Sequence, residues 1–470
     1  MSALLERFSA IVGTSHVLTG DDTAPWRMDW TGKYPSAPQA VLRPGSTQEV
    51  SRILALAHAD RVAIVPVGGN TGITGATVAD GALALSLGRM NRIREIRPEG
   101  RVAVVDAGVV LAALHDAAAE HDLIFPLTFG ARGSATIGGA LSTNAGGSNV
   151  LRYGNTRELC LGLEVVMADG RVMDTMTALH KDNSGLNLRQ LMIGAEGTLG
   201  IVTAAVLKLR PKPRAYATAM LAVPTLADAL ALLNRLQDLT GGQVEAFEFM
   251  PRAYIDGHLA LIAGARPPFA KAHDINVLIE IGATAPRDAT PDATGAIPIV
   301  TLLENALGDM LASGTLLDAV VARSDAQRRE MWARREAAAE ITYARKPIVD
   351  TDICVPLDAV EGFLADALAR VRHLDPGAQE MVVAHLGDGN VHYSIYPGRD
   401  DPALSAAILE AIEDAVAAQG GSFSAEHGIG LSKRGTMARR KDPTALAAMR
   451  AIKAALDPRG ILNPGKVYPD

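Results

Sequence analysis

Two short stretches late in the chain gather groups able to bind a metal and move a proton. Residues 384–395, AHLGDGNVHYSI, hold His385 and His392 on either side of Asp388-Gly389-Asn390. Such a run between apolar residues is a hairpin signal, and it lets the two imidazoles face each other across the turn. Neutral imidazoles so placed suit a divalent metal. A lone histidine is more often a core or surface residue, but a pair bracketing a turn makes the two readings about even. Residues 424–434, SAEHGIGLSKR, set Glu426 beside His427 ahead of a glycine turn. A carboxylate completes a His-His-Glu set and leaves a position open for substrate. An imidazole titrates near working pH, which suits His427 to general-base work. A capping Glu426 and a solvated His427 are the bland alternative. Arginine grips a carboxylate with two parallel hydrogen bonds, and Trp332-Ala333-Arg334-Arg335 opens a predicted helix that ends before Pro347.

The first half of the chain carries three glycine-rich turns, each beside a predicted strand. Residues 66–76, PVGGNTGITGA, follow the apolar run Val62–Val67. Glycines there permit positive φ, and successive free N–H groups form a nest for an anion such as pyrophosphate. The GxGxxG spacing does not fit, and the Walker-like GILNPGK at 460–466 contains Pro464 and lacks the following Ser/Thr. Residues 126–154 are rich in small residues that let backbone lie against a large planar ligand. Ser134, Thr136, Ser142, Thr143 and Asn144 add hydrogen-bonding groups at little steric cost. The third turn, IGAEGTLGIVT at 193–203, has Glu196 at its head. One such loop is weak evidence, whereas three in order suggest a dinucleotide wrapped by a whole domain.

These groups need elements to hold them. Ser46 caps a predicted helix to Asp60, and strands are read at Ala82–Ser86, Val102–Asp106 and Leu161–Ala168, with a helix at Leu111–Glu120. Residues 126–147 show no periodicity and read as a functional loop. The run KLRPKPR, 208–214, reads as a linker between domains. Beyond it come strands Ala217–Val223, Val244–Met250 and Asn276–Ile281, with helices at Thr225–Thr240 and from Pro298. This alternation suggests a second α+β domain with its own sheet. Residues 283–298 read as a loop and 316–343 as a long helical stretch. A last helix is read at Pro443–Leu456, and the start of the chain, MSALLERFSAIVG, reads as an amphipathic helix.

Composition narrows the field. The chain has 470 residues, a net charge of −7, 48% hydrophobic and 21% charged residues, which fits a folded protein of two or three domains. Mild acidity and 4% aromatic residues argue against a nucleic-acid partner. Cys160 and Cys354, the two cysteines, exclude a disulfide framework and a thiolate zinc cluster. No run approaches a membrane span and no signal peptide is evident, so a reduced, cytoplasmic setting is expected.

Taken together, PVGGNTG, GARGSATIGGALSTNAGG, RYGN, LEVVMADG, KDNSG, GAEGTLGIVT, AHLGDGNVHYSI and SAEHGIG resemble the FAD-linked D-2-hydroxyacid dehydrogenases, within the vanillyl-alcohol oxidase and PCMH-type flavoprotein superfamily. The resemblance spans roughly Val41 to Val467. It implies an α+β protein with a PCMH-type FAD-binding domain over residues 1–212. A substrate-binding cap domain with an antiparallel sheet would follow over 213–425, and residues 426–470 would return to the FAD domain. The implied FAD contacts are Pro66, Val67, Gly68, Gly69, Asn70, Thr71, Gly72, Thr128, Ser134, Thr136, Gly138, Gly139, Ser142, Thr143, Asn144, Gly146, Gly147, Glu196, Ile201 and Asn463. Asn70-Thr71 stands where some superfamily members carry a histidine that links FAD covalently, so non-covalent FAD is implied. His385, His392 and Glu426 match metal ligands, with zinc or manganese implied, and His427 matches the base. Arg335 matches the position that holds the substrate carboxylate, and His385, Asn390 and His392 join it as substrate contacts.

The implied reaction is oxidation of a D-2-hydroxyacid to a 2-oxoacid by a homodimer, with electrons passed to an electron-transfer flavoprotein or a quinone. An oxygen-using oxidase and a non-redox flavoenzyme like alkyl-glycerone-phosphate synthase are the alternatives, and a flavin-free binding protein is the bland third. The substrate signals divide. Members acting on 2-hydroxyglutarate usually show Lys-x-Asp-x-Ser-x-Pro, but residues 350–356 read DTDICVP, with Asp350 in the lysine position and Ala339 in place of a threonine. TDICVP looks more like the D-lactate branch, whereas KDNSG and FEFM look more like the 2-hydroxyglutarate branch.

Overall fold

The computed structural model describes residues 3–469, and the chain divides into two units. The first comprises the chain up to Gly146, Gly154–Pro211 and everything from Glu426 onward; the second comprises Gly147–Tyr153 and Lys212–Ala425. No helix among the described residues is long and apolar enough to cross a membrane.

The first unit holds two larger sheets and a two-stranded ribbon that pairs Leu123–Ile124 with Arg210–Pro211. One is four-stranded, in the order Val17–Leu18, Ala40–Leu42, Leu83–Ser86, Ile64–Val67, and its last three strands run parallel. Their residues are almost continuously apolar and buried, as a parallel sheet requires. Helix Thr47–Asp60 follows Ala40–Leu42, with the Ser46 hydroxyl accepting from Glu49 N–H at 3.2 Å. The other sheet is five-stranded and antiparallel, in the order Ile93–Arg97, Val102–Asp106, Ile201–Lys208, Cys160–Val166, Val172–Asp174. The last segment of the chain rejoins the first sheet: Ile64 N–H donates to Ile461 O and Asn463 N–H to Ile64 O, each at 2.8 Å.

In the second unit one seven-stranded sheet is antiparallel throughout. Its order is Asp318–Val321, Ala215–Ala222, Ile275–Ala283, Val244–Pro251, Gln379–His385, Asn390–Tyr396, Val349–Cys354. Ala215–Ala222, helix Leu226–Thr240 and Val244–Pro251 form a split βαβ, because Ile275–Ala283 inserts between the two strands. On one face the sheet packs helices Leu226–Thr240, Pro298–Ser313, Val360–Leu374 and Pro402–Ala418 into a core containing Leu232, Leu303, Phe363 and Ile408. The opposite face is covered by helices Arg252–Leu261, Asp325–Glu336 and Ala338–Tyr343.

Several element expectations are corrected. Residues 126–147 are not wholly irregular, since Ile137–Thr143 is a helix capped by the Thr136 side chain; its glycines and hydroxyl residues mask the helical period. Within 316–343, Asp318–Val321 is an edge strand paired with Ala219–Ala222, and the β-branched pair Val320-Val321 favours that pairing. Trp332–Arg335 closes helix Asp325–Glu336 instead of opening one. Residues 283–298 include the short helix Pro286–Ala289. The N-terminal helix is present as Ala3–Val12, while Met1 and Ser2 lie outside the described residues.

Candidate active site

In the first unit the three glycine turns meet at close quarters. A Cβ on Gly68 would stand 2.5 Å from Thr136 Oγ1, and one on Gly69 would stand 2.0 Å from Ser134 O. Only glycine permits this approach, so the first loop lies directly on the second. Asn70 holds a positive φ of 53°; its amide donates to Met28 O at 3.1 Å and its carbonyl accepts from Thr77 Oγ1 at 2.8 Å. Pro66, Gly68, Gly69, Asn70, Thr71, Thr128, Gly139, Ser142, Thr143 and Asn144 keep part of their surface open, Gly72 and Ser134 are exposed, and Val67, Thr136, Gly138, Gly146, Glu196, Ile201 and Asn463 are buried. Several expected donors have local work. The Thr136 hydroxyl accepts from Gly139 N–H at 3.3 Å, and Ser142 Oγ donates to Gly138 O at 2.7 Å. Thr143 Oγ1 donates to Gly139 O at 3.3 Å, and Asn144 Oδ1 accepts from Arg157 N–H at 3.0 Å. Gly147 begins the excursion that folds with the second unit, where Arg152 and Tyr153 bond Glu245.

Glu196 and Asn463 tie this cradle to the C-terminal segment. Both carboxylate oxygens of Glu196 accept backbone N–H groups, from Ile429 at 2.7 Å and Gly430 at 2.9 Å. Burial pushes its carboxyl up despite those donors. Asn463 Nδ2 donates to Ala76 O at 3.2 Å and Glu196 O at 2.8 Å. Its Oδ1 is buried and has no partner among the described residues. A buried acceptor without a donor calls for a ligand N–H, which the flavin ring of FAD supplies. The glycine cradle and this acceptor therefore fit the cofactor. Glu426 and His427 begin the same C-terminal segment, with His427 Nε2 3.7 Å from Glu426 Oε1.

In the second unit the strand register builds a polar cluster on the sheet face that the short helices cover. Glu248 and His385 are cross-strand partners, as are Asp352 and His392. Arg335, from helix Asp325–Glu336, donates through Nε to Glu248 Oε2 at 2.6 Å. His385 Nδ1 lies 2.9 Å from Glu248 Oε1, and Arg335 NH2 lies 3.4 Å from both ring nitrogens of His385. Glu248, Arg335 and His385 are all buried, at 0%, 7% and 8% exposure. Burial opposes the charge on Glu248, yet His385 and Arg335 hold its carboxyl below the usual range. The rings of His385 and His392 stand edge to face at 5.5 Å; the two are offset by two residue pairs along their strands, which puts them on the same face of the sheet. Asp352 Oδ1 lies 4.0 Å from His392 Nδ1 and accepts from Asn390 Nδ2 at 2.9 Å. Asn390 opens its strand opposite His385 instead of ending the turn, and its amide is spent on Asp352 and Ile353 O. Asn390 Nδ2 thus helps to hold Asp352 in place. Ala425 N–H donates to Asp352 Oδ2 at 3.2 Å, and the next residues along the chain are Glu426 and His427.

Imidazoles with carboxylates are a donor set suited to zinc or manganese. A histidine ligand ordinarily passes its second ring N–H to a carboxylate, and the His385–Glu248 contact has that form. Sequence reasoning missed Glu248 and Asp352. Glu248 lies within the quoted FEFM and Asp352 within TDICVP, but only the strand register reveals their partners.

Residues 212–467 match the family of FAD linked oxidases, C-terminal domain, and residues 38–176 match the FAD binding domain. A D-2-hydroxyglutarate dehydrogenase from Xanthomonas citri pv. viticola is 37% identical over 453 residues, covering 95% of this chain and 93% of that one. The mitochondrial D-2-hydroxyglutarate dehydrogenase of Bos taurus is 37% identical over 478 residues, covering 99% and 83%. Among solved structures, p-cresol methylhydroxylase with substrate bound superposes with a TM-score of 0.75 at 17% identity over 99% of this chain and 96% of that one. An alkyldihydroxyacetonephosphate synthase superposes at 0.74 with 18% identity over 99% and 86%. At such identities these structures speak for the fold alone. Fold and sequence together define an α+β flavoprotein with a PCMH-type FAD-binding fold, an oxidoreductase acting on CH–OH donors. The chain belongs to the FAD-linked D-2-hydroxyacid dehydrogenase family.

Proposed function

We propose that this protein oxidises a D-2-hydroxyacid to the 2-oxoacid, with Arg335 as the carboxylate anchor and His427 as the base. The observation that carries the reading is the buried Glu248–Arg335–His385 cluster beside His392 and Asp352. A guanidinium oriented by a buried carboxylate loses little freedom when it grips an anion. FAD, when bound, supplies the two-electron acceptor for the hydride on C2. His385, His392 and Glu426 would hold a divalent ion, zinc or manganese, as a Lewis acid toward the substrate hydroxyl. His427 takes the hydroxyl proton as the C2–H bond breaks, leaving the C=O of the product. Electrons then leave through an external carrier, an electron-transfer flavoprotein or a quinone.

The test is His427→Ala. It should retain bound FAD and lose about 100-fold or more in kcat, the range of a positioned base. Full FAD content with nearly unchanged kcat would remove His427 from the mechanism.

A further inference from the structure

Arg334 and Arg335 are neighbours in sequence, but about 100° of helix turn separates them, so they meet different surroundings. Arg335 meets the Glu248 carboxylate. Arg334 is 3% exposed, yet it makes no ion pair among the described residues. Its NH2 donates to the Arg266 carbonyl at 3.0 Å, while its Nε is buried without a hydrogen-bond partner. Glu330, one turn earlier on the same helix, bears on the Arg334 charge, but its carboxylate is paired with Arg266 at 2.7 Å. Two guanidiniums therefore share one carboxylate here.

Helix Arg252–Leu261 brings a second buried group without a partner. The Tyr254 hydroxyl donates to Arg334 O at 2.8 Å and to Arg335 O at 3.2 Å, which seats this helix on the end of Asp325–Glu336. His258 follows one turn later, toward the loop that carries Arg266. It is 5% exposed, and its Nδ1 has no partner among the described residues. Burial and then the Arg334 charge lower its pKa, so the two side chains sense each other. In one neutral tautomer an imidazole presents N–H at Nδ1.

A guanidinium keeps its proton at any working pH, so the Arg334 charge is buried and uncompensated. Burying a charge is costly unless it is paired. A trapped water would satisfy the two N–H groups but leave the charge unanswered. An oxyanion answers both, by a charge-assisted hydrogen bond from Nε and another from the imidazole.

We propose that Arg334 and His258 form a binding site for a small oxyanion, a carboxylate or a phosphate, apart from the Glu248–Arg335–His385 cluster. The inference is independent of the reaction proposed above. An anion held there ties helix Asp325–Glu336, whose last turn carries Arg335, to helix Arg252–Leu261.

The experiment measures Tm of the FAD-loaded protein in sodium chloride, phosphate and acetate at equal ionic strength; loading keeps phosphate out of the FAD site. In chloride, Arg334→Met should melt no lower than wild type, because an uncompensated buried charge is removed. Phosphate or acetate should raise wild-type Tm over chloride by about 2 °C or more beyond the rise in Arg334→Met. His258→Leu should lose about half or more of that extra rise. An extra rise with phosphate alone assigns the site to phosphates, and one with acetate alone assigns it to carboxylates. Equal rises in wild type and Arg334→Met, which is the general effect of such salts, overturn the proposal. So does an extra rise kept whole in His258→Leu, or an Arg334→Met protein that melts well below wild type in chloride or fails to fold.

Discussion

Glu248 stands opposite His385 across two antiparallel strands, and its two oxygens divide their work, one 2.9 Å from His385 Nδ1 and the other 2.6 Å from Arg335 Nε. A single buried anion thus fixes both an imidazole and a guanidinium. Breaking a buried pair by removing one partner costs about 3–5 kcal/mol, because the other charge is left uncompensated. Glu248→Gln should therefore lower Tm and reduce kcat/KM by about 10- to 100-fold, the usual effect of losing a histidine's carboxylate partner. Wild-type Tm and kcat/KM in that variant would contradict the role.

The same residue makes a pH prediction. Its folded-state carboxyl is depressed by His385 and Arg335, against burial. An unfolded glutamate titrates near about pH 4.3. The stabilisation is therefore fully present above that value and is lost as pH falls through the lower folded value. Thermal unfolding from about pH 5 to about pH 3 should show wild type losing Tm more steeply than Glu248→Gln. Parallel curves would be the contrary result.

Gly69 tests the cofactor cradle. Its Cβ would stand 2.0 Å from a backbone oxygen, that of Ser134. Backbone cannot yield as a flexible side chain does, so Gly69→Ala should separate the two loops. Visible absorbance of the purified protein, relative to its protein absorbance, should fall well below wild type. An equally yellow Gly69→Ala protein would mean that this approach does not shape the FAD site.

Asn463 makes two hydrogen bonds, to Ala76 O and Glu196 O, and leaves Oδ1 for a ligand donor. At about 0.5–1.5 kcal/mol each, losing the two bonds in Asn463→Ala costs about 1–3 kcal/mol. The loss of the Oδ1 acceptor should also weaken FAD binding, so added FAD should raise the variant's Tm less than it raises that of wild-type apoprotein. Equal gains would assign Asn463 to the fold alone.

Chelation addresses the metal. Dialysis against a chelator should abolish turnover while the bound FAD stays, and added zinc or manganese should restore it. Turnover that survives removal of all divalent metal, checked by elemental analysis, would leave His385, His392 and Glu426 without the proposed ligand role.

Much of this was legible in the sequence, for reasons that differ from place to place. Gly68 and Gly69 announce a close backbone approach by their type, and Ser46 and Thr225 announce helix starts. His385 and His392 announce a hairpin because the signal is local. Glu248 could not be found that way. Its partners lie 87 and 137 residues further along the chain, and only the pairing of Val244–Pro251 with Gln379–His385 brings them together. Asp352 was hidden similarly, because its pairing with His392 crosses two strands that are distant in sequence. The helix Ile137–Thr143 was missed because residues that favour caps and turns fill it.

The central claim is oxidation at a D-configured C2. Its most direct test is anaerobic mixing of the FAD-loaded enzyme with D- and L-2-hydroxyacids, followed at the visible flavin band. Rapid bleaching by at least one D-acid, with its L-enantiomer inert, is the predicted result. A protein that stays yellow with every D-acid, or bleaches equally with both enantiomers, would contradict the account.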